Sequence, residues 1–534
     1  MSSRKIAFSA GIVSAITMLS RVLGYIRDAF SAALFGVGIV SDAFFVAFRI
    51  PNLLRNLLAE GALSSAFIPV FTDYIENRKQ KDVWNLAANV LTLLALILVF
   101  AAALGIFAAP WIVKIIAPGF VDDKEKFILT VKLTRIMFPF IIFVSVSALF
   151  MGVLNSFKKF SIPAFAPVVL NVFMIAAGAF LCPALGVSPE KQIYGWAAGA
   201  LAGAFFQVIM QYIPVVKLGF GLKAVINLKD AGLKRIGRLM VPATLAQSVT
   251  QLNLLVNTIL ASLLAEGAVT YLYYGNRIMQ LPFGVFGVAI ATVAFPYIAG
   301  YAARKESKKM RDTIHTSLKQ TFFIVIPASA GIIFMSGYIN ALLFYYGRFT
   351  MEDTLNTAGV CIMYTIAVFA FSGIKILTQV FYTINKAKTA VKISAASLVL
   401  NIFFCIILMG PMQYMGLALA ASIAGIIHFI LLYIFVEKYT GDLRTGELAV
   451  FFIKTTAASV VMGGVIMFVS HAMSGAWNTD FSRTVNALIV FANIILGVVV
   501  YFALLPLFRI SEGRTLALEF LKKLKKRKKN SSMP

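Results

Sequence analysis

The residues that could do chemistry here are ionisable groups embedded in long apolar runs. Arg21, Arg27 and Asp28 stand in the first run, and Asp42, Arg49, Arg55 and Glu60 in the second. Arg277 stands in the eighth and Lys375 in the tenth. An Arg, Lys or Asp at the centre of a membrane helix costs roughly 2.5–3.5 kcal/mol on insertion scales. Several on one helix cannot all face lipid, so they must line a hydrated cavity or pair internally. Six cations meet three anions in this set. Internal pairing therefore cannot neutralise it, and an anionic ligand can. Five of the six cations are arginines, whose planar fork binds phosphate oxygens in pairs. A diphosphate suits that arrangement better than an organic cation does. Arg21 and Asp28, like Asp42 and Arg49, are seven apart and share a helix face, whereas Arg21 and Arg27 do not. Structural readings stand beside the functional one: Arg49 and Glu60 can snorkel from helix ends, Lys375 can serve a backbone carbonyl, and Arg27 with Asp28 can be a folding pair.

The elements that carry these groups follow from composition. Of 534 residues, 60% are apolar and 13% charged, and the mean hydropathy is +0.87. A soluble chain is ~45–50% apolar and ~25% charged, so a cytosolic enzyme, a secreted domain and a disordered chain are excluded. Apolar runs of ~20 residues recur, as membrane helices require, and alternating barrel strands are absent. The sequence predicts fourteen spans at 6–35, 38–76, 82–109, 126–154, 163–184, 191–216, 235–264, 268–302, 312–336, 354–384, 389–410, 413–437, 448–472 and 483–508. The first is basic-flanked like a signal peptide, but it runs on through Arg21, Arg27 and Asp28 and is read as a retained helix.

The net charge is +26. Its lysines and arginines gather in the loops after the even-numbered spans, such as Arg78 to Lys81, Lys158-Lys159 and Arg304 to Arg311. That is the positive-inside pattern rather than nucleic-acid binding, and it puts both termini in the cytoplasm. The basic stretch Lys522 to Lys529 is expected to rest on anionic lipid. Cys182, Cys361 and Cys405 lie in or beside apolar runs with no metal-ligand spacing, and the three histidines are far apart. Neither a Walker phosphate loop nor an H-E-x-x-H zinc motif occurs. Energy must then come from an ion gradient or the membrane potential. Asn253 and Asn257 could offer oxygens to a cation, although such pairs more often satisfy each other.

The chain also matches itself at an offset of about 230 residues. Val168 to Phe173 faces Leu398 to Phe403, Asn155 and Lys158 face Asn385 and Lys388, and Ala66 to Pro69 resembles Ala294 to Pro296. Six spans per half make the two halves parallel repeats. The expected fold is all-α and polytopic: fourteen transmembrane helices in two six-helix lobes, 1–216 and 217–440, then two extra helices at 441–510 and a basic tail at 511–534.

Several longer motifs resemble the MurJ/MviN family of lipid II flippases. They are Ser20-Arg21-Val22-Leu23-Gly24, Ile26-Arg27-Asp28, Ser41 to Phe48, Pro51-Asn52-Leu53-Leu54-Arg55, Ala59-Glu60-Gly61-Ala62, Phe160 to Pro167 and Tyr273-Tyr274-Gly275-Asn276-Arg277. The resemblance covers essentially the whole chain. It implies the multidrug/oligosaccharidyl-lipid/polysaccharide exporter fold, with the two extra helices forming a lipid-tail groove. It implies carriage of undecaprenyl-diphosphate-linked disaccharide-pentapeptide, lipid II, from the cytoplasmic to the periplasmic leaflet of the bacterial inner membrane by alternating access. Arg21, Arg27, Arg55 and Arg277 match the family's cavity arginines, with Asp28 and Asp42 beside them to partner those arginines. Some members carry Asp where Asn276 stands and Glu where Gln280 stands, so a cation-coupling role for those carboxylates does not carry over. No enzymatic activity and no cofactor is expected, and a coupling cation, sodium or proton, stays unassigned. Expected partners are lipid II, membrane lipids and cell-wall synthesis proteins, with no nucleic acid. The alternatives are an O-antigen-type polysaccharide-lipid flippase and an ion-coupled multidrug exporter.

Overall fold

The structure is a computed structural model that describes residues 3–56, 63–473 and 483–510. Glu60, the Ala59–Ala62 motif and the basic stretch Lys522–Lys529 lie outside the described residues. Among the described residues every regular element is helical, as the composition requires. The first half contains α1 (Ser3–Phe35), α2 (Ile39–Arg55), α3 (Ser64–Asn77), α4 (Gln80–Ile116), α5 (Lys124–Met137), α6 (Phe140–Ser156), α7 (Ser161–Ala176), α8 (Cys182–Ala184) and α9 (Pro189–Lys217). The second contains α10 (Ala231–Ser262), α11 (Ala268–Pro282), α12 (Val288–Ala303), α13 (Ser307–Phe334), α14 (Ser336–Phe344), α15 (Met351–Thr365), α16 (Val368–Thr383) and α17 (Ala387–Thr440). Two more follow, α18 (Thr445–Met473) and α19 (Arg483–Leu504).

The breaks recur between the halves. Helix α5 gives way to α6 at Phe138-Pro139, where proline lacks the N–H that would continue the ladder. Helix α15 gives way to α16 with a bend of 41°. A left-handed residue ends α6 at Lys158 (φ 61°) and α16 at Asn385 (φ 57°). The pattern of breaks therefore repeats, but Lys158 matches Asn385 rather than Lys388, three residues off the sequence register. Helix α17 holds 54 residues and breaks at Gln413 (φ 50°, ψ −135°). Unbroken it would be about 80 Å long, far beyond the ~30 Å hydrocarbon core, so it contains the two expected spans 389–410 and 413–437.

Among the described residues, nine helices are long and apolar enough to cross a membrane, or ten with the bent pair. Helices α1, α2–α3 and α10 are not among them, and α17 counts once although it holds two spans. Helices α1 and α2 carry Arg21, Arg27, Asp28, Asp42, Arg49 and Arg55. Helices α2 and α3, with 17 and 14 residues, are each too short to be counted alone, and the helical segments are consistent with fourteen spans.

By contacts the chain divides into two compact units, 1–271 with 343–353, and 272–342 with 354–534. In the first, Phe67, Phe71, Leu86, Phe150, Leu154 and Val215 are buried at the junction of α3, α4, α6 and α9. In the second, α13 is sheathed by α12, α16 and α18 around Ile314, Leu318, Phe322, Ile376 and Ala458. Tyr501 of α19 donates its hydroxyl to the Phe323 carbonyl at 3.1 Å. Large side chains such as Phe100 and Phe107 on α4 point outward, as a lipid-facing surface requires. All three cysteines are free and buried.

Candidate functional site

Helix α1 holds the first arginines at fixed positions. Arg27 donates through Nε and Nη2 to Asp28 Oδ1, at 3.0 and 2.6 Å. Its Nη1 donates to Asn171 Oδ1 at 3.2 Å. Asn171, on α7, in turn donates through Nδ2 to the Ser20 carbonyl at 3.0 Å. One amide therefore braces α1 one residue before Arg21 and fixes the guanidinium of Arg27. The side chains of Arg27 and Asp28 are 13% and 3% exposed, so the ion pair sits in a site where charge-assisted bonds are strong. Asp28 does partner an arginine, as expected of it. Asn171 was visible in the sequence as a repeated position facing Asn401, but not as a residue of the site.

Arg21 lies half-buried on the same helix. On α2, Arg55 donates to Asn56 Oδ1 at 3.2 Å, and Asn56 donates to Gln251 of α10 at 3.4 Å. Arg49 reaches the Leu254 carbonyl of α10 at 3.4 Å. Arg277 belongs to the second unit, half-buried on α11. There Gly275 lets α11 lie close to α15, because a Cβ would press on Val360 and meet the Cys361 nitrogen at 3.0 Å. Lys375 is exposed. Asn257 donates to Asn253 at 3.2 Å, so the pair satisfies itself. Gln280 likewise donates to Asn276 at 2.6 Å.

Asp42 differs from expectation. It is 1% exposed, and the groups on its carboxylate include no arginine. Lys126 Nζ donates to Oδ2 at 2.8 Å and Gly267 N–H to the same oxygen at 2.9 Å. The N–H and hydroxyl of Thr270 donate to Oδ1 at 2.9 and 2.7 Å. The expected arginine partnership is thus replaced by a lysine and a helix N-terminus. The reason is position: Asp42 stands in the first turn of α2, beside the unsatisfied N–H groups that open α11. Lys126 lies in the first turn of α5, buried, with its Nζ 4.1 Å from the Phe120 ring and the Asp42 carboxylate as its counter-ion.

The capping is reciprocal. While Asp42 of α2 caps α11, Glu266, just before α11, accepts the Ile39 N–H that opens α2 at 3.0 Å. Two further contacts close the same end of the unit. Gly36 and Gly347, at φ 59° and 56°, let the 343–353 segment lie on the end of α1, where the Arg348 N–H donates to the Ala33 carbonyl at 2.9 Å. Gly119, in the turn Pro118–Phe120, lies against the Ser262 carbonyl at the end of α10. Tyr271 donates to Asp353 at 2.8 Å, and Asp353 also accepts the Thr350 N–H at 2.9 Å.

The family model described as lipid II flippase MurJ matches residues 31–506. The chain belongs to the lipid II flippase MurJ family. A probable lipid II flippase MurJ of Buchnera aphidicola subsp. Acyrthosiphon pisum is 34% identical over 472 residues, covering 87% of this chain and 90% of that protein. The lipid II flippase MurJ of Burkholderia cenocepacia is 35% identical over 459 residues, 85% and 88% of the two chains. A solved structure titled lipid II flippase MurJ in an inward closed conformation superposes with a TM-score of 0.77 at 26% identity, over 95% of this chain and 99% of that one. An inward-facing multidrug transporter shares the fold alone, with a TM-score of 0.68 at 15% identity over 82% of this chain and 99% of that one. In this MurJ-family chain the family motifs therefore serve two ends. The Ile26-Arg27-Asp28 motif builds a clamped cation, and the Ser41–Phe48 motif buries a carboxylate that caps a neighbouring helix.

Proposed function

We propose that this chain is a lipid II flippase of the bacterial inner membrane, moving the undecaprenyl-diphosphate-linked precursor from the cytoplasmic to the periplasmic leaflet by alternating access for peptidoglycan synthesis. Both termini are cytoplasmic in this reading. The observation that carries it is the Arg27 clamp: a guanidinium set among apolar helices and fixed by Asp28 and Asn171. A cation held in one rotamer loses little entropy on meeting an anion. Arg21, Arg27, Arg55 and Arg277 each meet the diphosphate during the cycle. Asp28 holds Arg27 when no substrate is bound.

Asp42 acts at the other step. Opening the end of the unit where α2 meets the start of α11 breaks the four bonds on its carboxylate. Asp42 is thus a latch rather than a ligand, and substrate binding must supply the differential free energy that releases it. The polyprenyl tail runs outside, along the apolar outward faces of α18 and α19, which present Ile453, Phe468, Ile495 and Val499.

The test is Arg27→Lys and Arg277→Ala in a cell that depends on this copy, scored by growth and by exposure of lipid II to an external probe. Loss of exposure with normal protein level supports the assignment. Normal growth and normal exposure with both variants would defeat it.

A further inference from the structure

The segment joining α9 to α10, residues 218–230, has no regular structure, yet it is bolted to α4 by side chains. Asn89 Nδ2 donates to the Asn227 carbonyl at 2.9 Å, and the Asn227 N–H donates back to Asn89 Oδ1 at 3.0 Å. The Val225 N–H donates to Thr92 Oγ1 at 3.2 Å. These contacts account for Asn89 and Thr92, the two polar residues in the otherwise apolar stretch 86–113 of α4.

The contacts also set depth. The segment enters with Phe220 packed 5.8 Å from the Trp84 ring, and it leaves where the Gly232 N–H donates to the Tyr74 hydroxyl at 3.0 Å. Between these aromatics it reaches Thr92, eight residues beyond Trp84, or about 12 Å further along the α4 axis. The opposite end of α4 carries Trp111, exposed, with Lys114 Nζ 5.9 Å from its ring. That pairing marks a membrane interface. Counting back the ~20 residues of a hydrocarbon core from Trp111 reaches Leu91. Val225 and Asn227 therefore sit where headgroups give way to acyl chains.

At that level Leu222, Ile226 and Leu228 are 64%, 63% and 64% exposed. Lys223 and Lys229 alternate with them. The one acidic residue between Lys217 and Arg238, Asp230, is spent capping α10 through the Leu233 N–H at 2.9 Å. We propose that this connecting segment is seated in the leaflet at the basic end of α4, with Leu222, Ile226 and Leu228 at the acyl-chain boundary and Lys223 and Lys229 on anionic lipid phosphates. Irregular backbone is tolerated at that depth only when its polar groups are satisfied by protein, and Asn89 and Thr92 supply that. Aliphatic side chains flanked by lysine are the signature of an interfacial segment.

The test uses the full chain in lipid nanodiscs. The three native cysteines are buried, so an Ile226→Cys variant takes a bimane label at one site. A Lys308→Cys variant, exposed in the first turn of α13, is the aqueous control. The expected result is quenching by brominated acyl chains several-fold greater at 226 than at 308, with iodide quenching in the reverse order. Adding Asn89→Ala should reduce the bromine quenching at 226. Making Lys223→Glu and Lys229→Glu together should reduce it in phosphatidylglycerol discs more than in phosphatidylcholine discs. Stronger iodide than bromine quenching at 226 would overturn the proposal, and so would protection from both quenchers, which means the position is covered by protein.

Discussion

Asn171 and Arg27, 144 residues apart in the chain, meet through a 3.2 Å bond between the asparagine Oδ1 and the arginine Nη1. The same asparagine holds the backbone of α1 at Ser20. It touches no substrate in the proposed cycle, so it acts as a positioning residue for Arg27.

Replacing Asn171 by Leu should therefore harm transport more than folding. Removing the amide deletes its bonds to the Ser20 carbonyl, which keeps its helical partner, and to Arg27, a cost of about 1 kcal/mol per bond. Lipid II exposure should fall by roughly tenfold, equivalent to ~1.4 kcal/mol, with a small drop in the thermal midpoint of the purified protein. Asn171→Asp keeps the acceptor for Arg27 and should retain more transport than Asn171→Leu. Equal activity of the two variants would show that the clamp is not used.

Asp42→Ala should be among the most destabilising changes in the first unit. It strands Lys126, whose side chain is 8% exposed, and leaving one partner of a buried ion pair alone costs about 3–5 kcal/mol. The double variant Asp42→Asn with Lys126→Met removes both charges and keeps an acceptor for Thr270. It should recover much of the thermal stability that Asp42→Asn loses alone, a non-additivity read by the cycle through Asp42→Asn and Lys126→Met. Additive losses would mean that Lys126 is not paired with Asp42 in solution.

Gly347→Ala should loosen the contact on the end of α1. Its left-handed φ of 56° disfavours any other residue, and the added Cβ would strike the Ala33 backbone carbonyl, which cannot rotate away. An Ala33→Cys reporter should then react faster with a membrane-impermeant maleimide. An unchanged rate would show that the 343–353 segment does not cover α1.

Tyr271→Phe removes one donor from Asp353 but leaves its bond to the Thr350 N–H. The expected loss is about 1 kcal/mol of stability, read in thermal unfolding. It should be much milder than the loss from Asp42→Ala, because one bond is lost instead of four.

The class of molecule and the identity of the costly charges were already legible in the amino-acid sequence. Apolar runs of bilayer length dictate membrane helices, because no other element satisfies its own backbone in lipid. The repeat of about 230 residues is matched by a left-handed turn in each half, at Lys158 and Asn385, although these two stand three residues off the register read from the sequence. Arg27 and Asp28 are neighbours in the chain, so their pairing was legible as one of two readings. Tertiary structure alone decided which partner each other charge would meet. Asp42 and Lys126 are 84 residues apart, and no spacing rule links a residue opening α2 to one opening α5. Their pairing depends on which helix N-termini the fold gathers at one end, where unsatisfied N–H groups attract any nearby carboxylate. Asn89 is the same case: in the chain it is one amide in an apolar run, and only the path of the 218–230 segment gives its two bonds a purpose.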